Sequence, residues 1–198
     1  MSPMLQVNNE SLCRREGRFC IRAGKLVEPD FIRQALAIDR VVYPGEFFLS
    51  FEQCLGFFRK NPYVYLFALD EATGRVVGYV NYSPLGDAAY ESIRKGTCDS
   101  FLTAADVVAY SPGEEHSLYF SSIVVHPDFR RMGVSRLLQS VLDVLVAELR
   151  RCGIFIVREL ADVLSDGGER IVTSRGYRFV GMSGHGTKIM EKTCLTMA

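Results

Sequence analysis

The sequence predicts a single α/β domain, and three features carry that prediction. Residues 118–149 read in succession as strand, proline turn, basic glycine loop and long amphipathic helix. Two apolar runs, 63–69 and 75–82, flank Asp70-Glu71-Ala72-Thr73-Gly74, which has the composition of a hairpin turn. The chain has 198 residues, 48% of them apolar and 23% charged, which suffices for one good core and is ordinary for a globular domain.

Taken in order, residues 1–17 are polar and mixed and are expected to be a flexible lead-in to a domain spanning 18–198. Residues 19–23 suit a first strand. Glu28-Pro29-Asp30, followed by Phe31, Ala35, Leu36 and Ile38, reads as a helix entered through a proline and an acidic first turn, and Tyr43-Pro44-Gly45 stops it. Residues 51–59 suggest a second helix, and Asn61-Pro62 breaks the chain before the hairpin strands. The connection 83–116 is too long for a hairpin. It holds two stretches, 88–94 and 101–108, that read as short helices or an irregular excursion, and it is expected to be either decoration or a lid that selects the substrate. No internal repeat, low-complexity run or interdomain linker is present.

Charge and cysteine usage narrow the function. The formal net charge is zero, whereas a nucleic-acid binder is expected to carry a basic excess. Cysteines 13, 20, 54, 98, 152 and 194 form no C-x-x-C pair, so no metal site is expected. Residues 1–9 lack a basic region followed by an apolar run, and no apolar run has membrane-spanning length. A soluble protein with reduced thiols in the cytoplasm, free of membrane and nucleic-acid partners, is the expectation.

The most informative stretch is Val125-His126-Pro127-Asp128-Phe129-Arg130-Arg131-Met132-Gly133-Val134-Ser135-Arg136. Residues 118–125 are β-branched and aromatic, and Pro127 ends the strand by removing a backbone donor. Leu137, Leu138, Val141, Leu142, Leu145, Val146 and Leu149 then fall three and four apart, as on one helix face. The loop therefore opens a helix, whose first amides lack intrahelical partners and attract an anion. Gly133 permits close approach to the backbone, and Arg130, Arg131 and Arg136 add charge suited to a pyrophosphate.

At these residues the chain resembles the GNAT superfamily of acyl-CoA N-acyltransferases, whose strand ends in V-x-P before an R/Q-x-x-G-x-G/A loop. Here the loop stands as Arg130-x-x-Gly133-x-Ser135, with Ser135 in place of the final Gly or Ala. The order of elements supports the likeness: an apolar strand at 153–157 and a late Arg175-Gly176-Tyr177-Arg178-Phe179 follow the helix. The resemblance implies a mixed sheet flanked by helices and splayed between its fourth and fifth strands. Acetyl-CoA would lie in that split as cosubstrate. The backbone of Ile123, Val124 and Val125 would then hold the pantetheine arm, and Arg130, Arg131, Met132, Gly133, Val134, Ser135 and Arg136 the pyrophosphate. Ser165, before a helix at 168–174, falls about where the family often places a cofactor-touching Asn.

The implied reaction is direct attack by an amine on the thioester in a ternary complex. The resemblance implies an amine of a small molecule, of a peptide or protein N-terminus, or of a lysine. The family has no fixed general base. Tyr119 and Ser121 match strand positions it uses, and Glu159 is a carboxylate just beyond the next strand. His116 reads as an exposed loop residue. The Tyr that the family often uses to protonate the leaving thiolate falls at Val172, so the usual acid is missing. Acceptor contacts would come from Tyr43, Glu46, Phe47, Phe48, Tyr79 and Tyr82. A monomer or homodimer is expected. The alternative is a catalytically degenerate acyl-CoA sensor or interaction module.

Overall fold

The apolar stripe that follows the glycine loop forms the central helix of the fold. The structure, a computed structural model, describes residues 7–43, 45–98 and 102–194. Its helices are α1 (Asn9–Leu12), α2 (Pro29–Val42), α3 (Phe51–Lys60), α4 (Asp87–Arg94), α5 (Val134–Arg151) and α6 (Asp166–Ser174). Its strands are β1 (Arg15–Glu16), β2 (Phe19–Ala23), β3 (Tyr65–Asp70), β4 (Arg75–Leu85), β5 (Glu115–Val125), β6 (Phe155–Val163), β7 (Arg178–Met182) and β8 (Lys188–Thr193). They form one sheet in the order β1-β2-β3-β4-β5-β6-β8-β7. Every pair is antiparallel except β5 and β6, which run parallel because α5 carries the chain across between them.

Each face of the sheet has its own core. Leu137, Leu138, Val141, Leu142, Leu145 and Leu149 of α5 are buried with Ile21, Leu66, Val80, Leu118 and Phe120. Each such leucine contributes roughly 1.5–3 kcal/mol by leaving water. On the other face α2 and α3 bury Phe31, Ile32, Ala35, Ile38, Leu55 and Phe57 against Phe67, Tyr79 and Val124. The entry to α3 is fixed by a capping box: Gln53 N–H donates to Ser50 Oγ (3.2 Å) and Ser50 N–H donates to Gln53 Oε1 (2.9 Å).

Three regions differ from the sequence expectations. The lead-in is packed from Val7 onward: Val7 and Leu12 are buried and β1 pairs with β2, because α1 lays an apolar side chain against the first core. The connection 83–116 keeps the expected short helix at 88–94 as α4 but is shortened by longer strands at both ends, β5 beginning at Glu115. β4 extends to Leu85, and α4 buries Tyr90 and Ile93. Arg158 of β6 reaches Glu91 (2.6 Å) and Asp87 (3.0 Å), fastening α4 to the sheet. Val108 N–H donates to Pro84 O (3.0 Å), which holds the returning chain alongside β4. Residue 101, part of the second expected short helix, lies outside the described residues. Finally, β6 runs to Val163 rather than ending at 157, because its far end pairs with β8.

Candidate active site

The parallel ladder between β5 and β6 runs from Glu115↔Phe155 to Phe120↔Ala161 and stops. Each strand goes on, β5 paired to β4 as far as Val125 and β6 paired to β8 as far as Val163. Strands held on their outer edges and parted on their inner ones leave residues 121–125 of β5 with an unpaired backbone edge. Between Asn81 and Tyr82 the β4–β5 register shifts, making Ser121 the extra residue of a bulge. The split is the expected one. It falls between the fourth and fifth strands when the two-residue β1 is left uncounted.

A cavity of about 790 Å³ lies at this split and extends under α2 and α3 and along the 83–116 connection, which lends it Ile93, Gly96, Cys98, Leu102 and Val107. Among the expected cofactor residues, Ile123, Val124, Val125, Arg130, Ser135 and Ser165 line it. Ser165 also caps α6, accepting from Gly168 N–H (3.2 Å). Arg131, Met132, Gly133, Val134 and Arg136 are not part of the wall. Gly133 is left-handed (φ 87°) at the N-cap of α5, and Arg131 is left-handed too (φ 64°). The helical ladder begins with Leu137 N–H on Gly133 O (2.9 Å), so the amides of 134–136 remain open to an anion. The side chain of Val134 is buried in the α5 core. Arg136 is ion-paired with Glu16 of β1. Arg130 Nε donates to Val125 O (3.4 Å).

The expected catalytic residues separate. Tyr119 and Ser121 line the cavity. The hydroxyl of Ser121 donates to Asn81 Oδ1 (2.7 Å), which Ser83 Oγ also approaches (3.1 Å). Glu159 does not line the cavity. It is buried in mid-strand and accepts from Tyr177 Oη, Lys192 Nζ (2.8 Å) and Cys194 Sγ (3.0 Å). Burial alone would raise its pKa, but these donors outweigh burial and hold it below the usual carboxylate value. The physical reason is alternation: with β6 extended, Glu159 points away from the acceptor side.

Other residues need correction for similar reasons. Tyr82 shares the face of Val80 on β4 and is buried in the α5 core, edge-on to Phe120 (6.0 Å between centroids), so it is not an acceptor contact. His116 is buried in β5, where its Nε2 accepts from Ser111 N–H (3.3 Å), and burial lowers its pKa. Tyr43, Phe47 and Tyr79 do line the cavity, whereas Phe48 does not. The side chain of Glu46 lies outside what the structure describes.

Two carboxylates that the sequence reading passed over stand in the cavity wall. Asp162 of β6 has a buried Oδ1 with no hydrogen-bond partner. Burial raises its pKa, opposed by Thr187 and His185. Tyr119, which pairs with Leu160 at the end of the ladder, also lines the cavity, and burial foremost, with the Asp162 charge second, keeps that phenol protonated. Asp39 of α2 accepts from Tyr79 Oη (2.6 Å), and burial pushes its pKa up to about 6. Both had a signal. Asp39 sits on the apolar stripe of α2, seven residues after Ile32 and four after Ala35, and Asp162 shares the face of Leu160 once β6 is long enough.

Comparison with known proteins agrees with this geometry. A model of the acetyltransferase (GNAT) family matches residues 29–162. A search of curated proteins by sequence finds no match. Among solved structures, Ard1 from Thermoplasma volcanium is similar at 16% identity, covering 91% of this chain and 100% of its own, with a TM-score of 0.57. Arabidopsis thaliana Naa50, in complex with the bisubstrate analogue CoA-Ac-MVNAL, is similar at 10% identity, covering 90% and 100%, with a TM-score of 0.56. The PaiA N-acetyltransferase from Thermoplasma acidophilum, in complex with coenzyme A, is similar at 12% identity, covering 89% and 99%, with a TM-score of 0.54. At these identities the likeness is one of fold.

Proposed function

This chain belongs to the acetyltransferase (GNAT) family, and from that premise we propose that it transfers an acetyl group from acetyl-CoA to a primary amine. The observation that carries the reading is the split itself. Residues 121–125 of β5 offer an unpaired strand edge to a pantetheine arm, and the open amides at the start of α5 offer a seat for pyrophosphate, within one continuous site. In this reading Arg130, Ser135 and Ser165 touch the cofactor with their side chains, and Arg131, Met132, Gly133 and Val134 through the backbone. Arg136 braces the loop through Glu16.

The chemistry asks little more than positioning and one proton acceptor. The amine nitrogen forms a bond to the thioester carbonyl carbon, the carbon–sulfur bond breaks, and the sulfur leaves as CoA thiolate. Backbone N–H groups at the free edge of β5 polarise the carbonyl. The proton lost by nitrogen goes to Asp162, whose unbonded oxygen faces the cavity and whose pKa burial raises, making it a better proton acceptor than an exposed carboxylate. Tyr119, held protonated, orients Asp162 or a water between them. Val172 lines the cavity without a hydroxyl, so the thiolate departs without a tyrosine acid.

Two measurements on the intact protein test this. Acetyl-CoA is expected to raise the unfolding midpoint, and free CoA is expected to appear only when an amine is added. A raised midpoint with no amine-dependent CoA release across a broad amine panel would favour the sensor reading. No shift at high acetyl-CoA would remove the cofactor assignment.

A further inference from the structure

Beyond the split, the cavity continues on the α2–α3 side as a chamber that acetyl transfer alone does not require. Its open wall is formed by the half-buried Leu36, Tyr43, Phe47 and Leu49. Behind it lies closed aromatic core, where the rings of Tyr65 and Phe67 stack at 5.4 Å and Phe67 and Tyr79 lie 6.2 Å apart. One carboxylate, Asp39, reaches this apolar space. The titratable groups facing it are Tyr79 from β4, Tyr65 from β3, Cys54 from α3 and Tyr43 at the end of α2. Among the described residues it has no ion-pair partner, so the chamber supplies a negative charge and aromatic faces but no cation.

The geometry points to an acceptor class: a small primary amine with an apolar or aromatic body, drawn in as an ammonium by Asp39, freed of one proton to solvent before its nitrogen attacks, and with its body seated against Leu36, Phe47 and Leu49. An ammonium gains from the carboxylate and from the ring faces together, and an apolar body gains by leaving water against that wall. Tyr79 stands opposite Val124 in the β4–β5 ladder, so an amine held by Asp39 lies beside the strand that carries the thioester. Other occupants fit less well. A longer acyl chain would strip water from Asp39 and offer it nothing, and a peptide N-terminus would bring backbone amides against walls with few partners for them.

This inference rests on the N-acetyl-transfer reading, and the test separates the two. The kcat/KM for ethylamine, butylamine and hexylamine is expected to climb by up to about fourfold per methylene buried. The value for 2-phenylethylamine should exceed that for ethanolamine by roughly tenfold or more. Asp39→Asn should raise the amine KM about tenfold, with kcat and the Kd for acetyl-CoA little changed. Should that variant fail to fold, the amine series on the unmutated protein decides alone. A flat series, a preference for a short peptide over 2-phenylethylamine, or an unchanged KM in a folded Asp39→Asn would overturn the inference. If acetyl-CoA binds but no amine releases CoA, the transfer reading fails. Calorimetry of 2-phenylethylamine on the CoA-loaded protein then decides the chamber: binding supports the assignment and absence of binding overturns it.

Discussion

Glu159 and Asp162 lie three residues apart on β6 and end in opposite environments. Glu159 points into a fully donor-lined site, with Tyr177, Lys192 and Cys194 around it, and its charged form is favoured. Asp162 points into a cavity, with one oxygen unbonded and its pKa raised by burial. The first holds β6, β8 and the segment before β7 together. The second is poised to exchange a proton with whatever enters the split. A carboxylate's usefulness in catalysis thus depends less on being near the site than on what its surroundings leave unsatisfied.

That contrast can be broken experimentally. Asp162→Asn is expected to lower kcat by about 10²- to 10⁴-fold while leaving the affinity for acetyl-CoA intact, as measured by amine-dependent CoA release and by calorimetry. Gly133→Glu should abolish stabilisation by acetyl-CoA, which at a hundred times the Kd is worth roughly 2.7 kcal/mol and several degrees in midpoint. Gly133→Ala controls for the strain of a side chain at φ 87°, and it should keep part of the shift. Glu159→Gln should cost about 1.5–3 kcal/mol in denaturant unfolding, the range for hydrogen bonds to a charged group, with kcat changed little.

The smallest effect sharpens the picture on the acceptor side. The raised pKa of Asp39, about 6, makes its carboxylate charged above that pH and neutral below it. The kcat/KM for amines should therefore fall as pH drops through 6, and by pH 5 only about a tenth of Asp39 would remain ionised. The part of the fall that lies in KM should be absent from Asp39→Asn, whereas a loss of kcat as Asp162 takes up a proton should remain in both. An unchanged KM between pH 7 and 5 would remove Asp39 from amine recognition.

Much of the fold was legible because its elements obey local rules. The stripe on α5, the proline entry to α2 and the hairpin turn at 70–74 are all short-range signals. The cofactor side of the site was legible for the same reason: a strand, a proline and a glycine loop at a helix start form one contiguous stretch. The acceptor side was not, because it is assembled from distant segments. The length of β6 depends on pairing with β8, some thirty residues later, and that length decides which face Asp162 occupies. The bulge at Ser121 puts Tyr119 and Val125 on opposite faces of β5, and its cause lies in the pairing of two strands, not in either one. Asp39 carried a signal, an acid on an apolar stripe, that becomes meaningful only beside a cavity.

The central claim is that this chain is an acetyl-CoA-dependent N-acetyltransferase whose proton acceptor is Asp162 and not Glu159. Its most direct test measures release of free CoA from acetyl-CoA and 2-phenylethylamine by the unmutated protein, Asp162→Asn and Glu159→Gln in parallel. Turnover is expected in the first and third and near-complete loss in the second, with acetyl-CoA bound by all three. Full turnover by Asp162→Asn together with loss in a folded Glu159→Gln would contradict it.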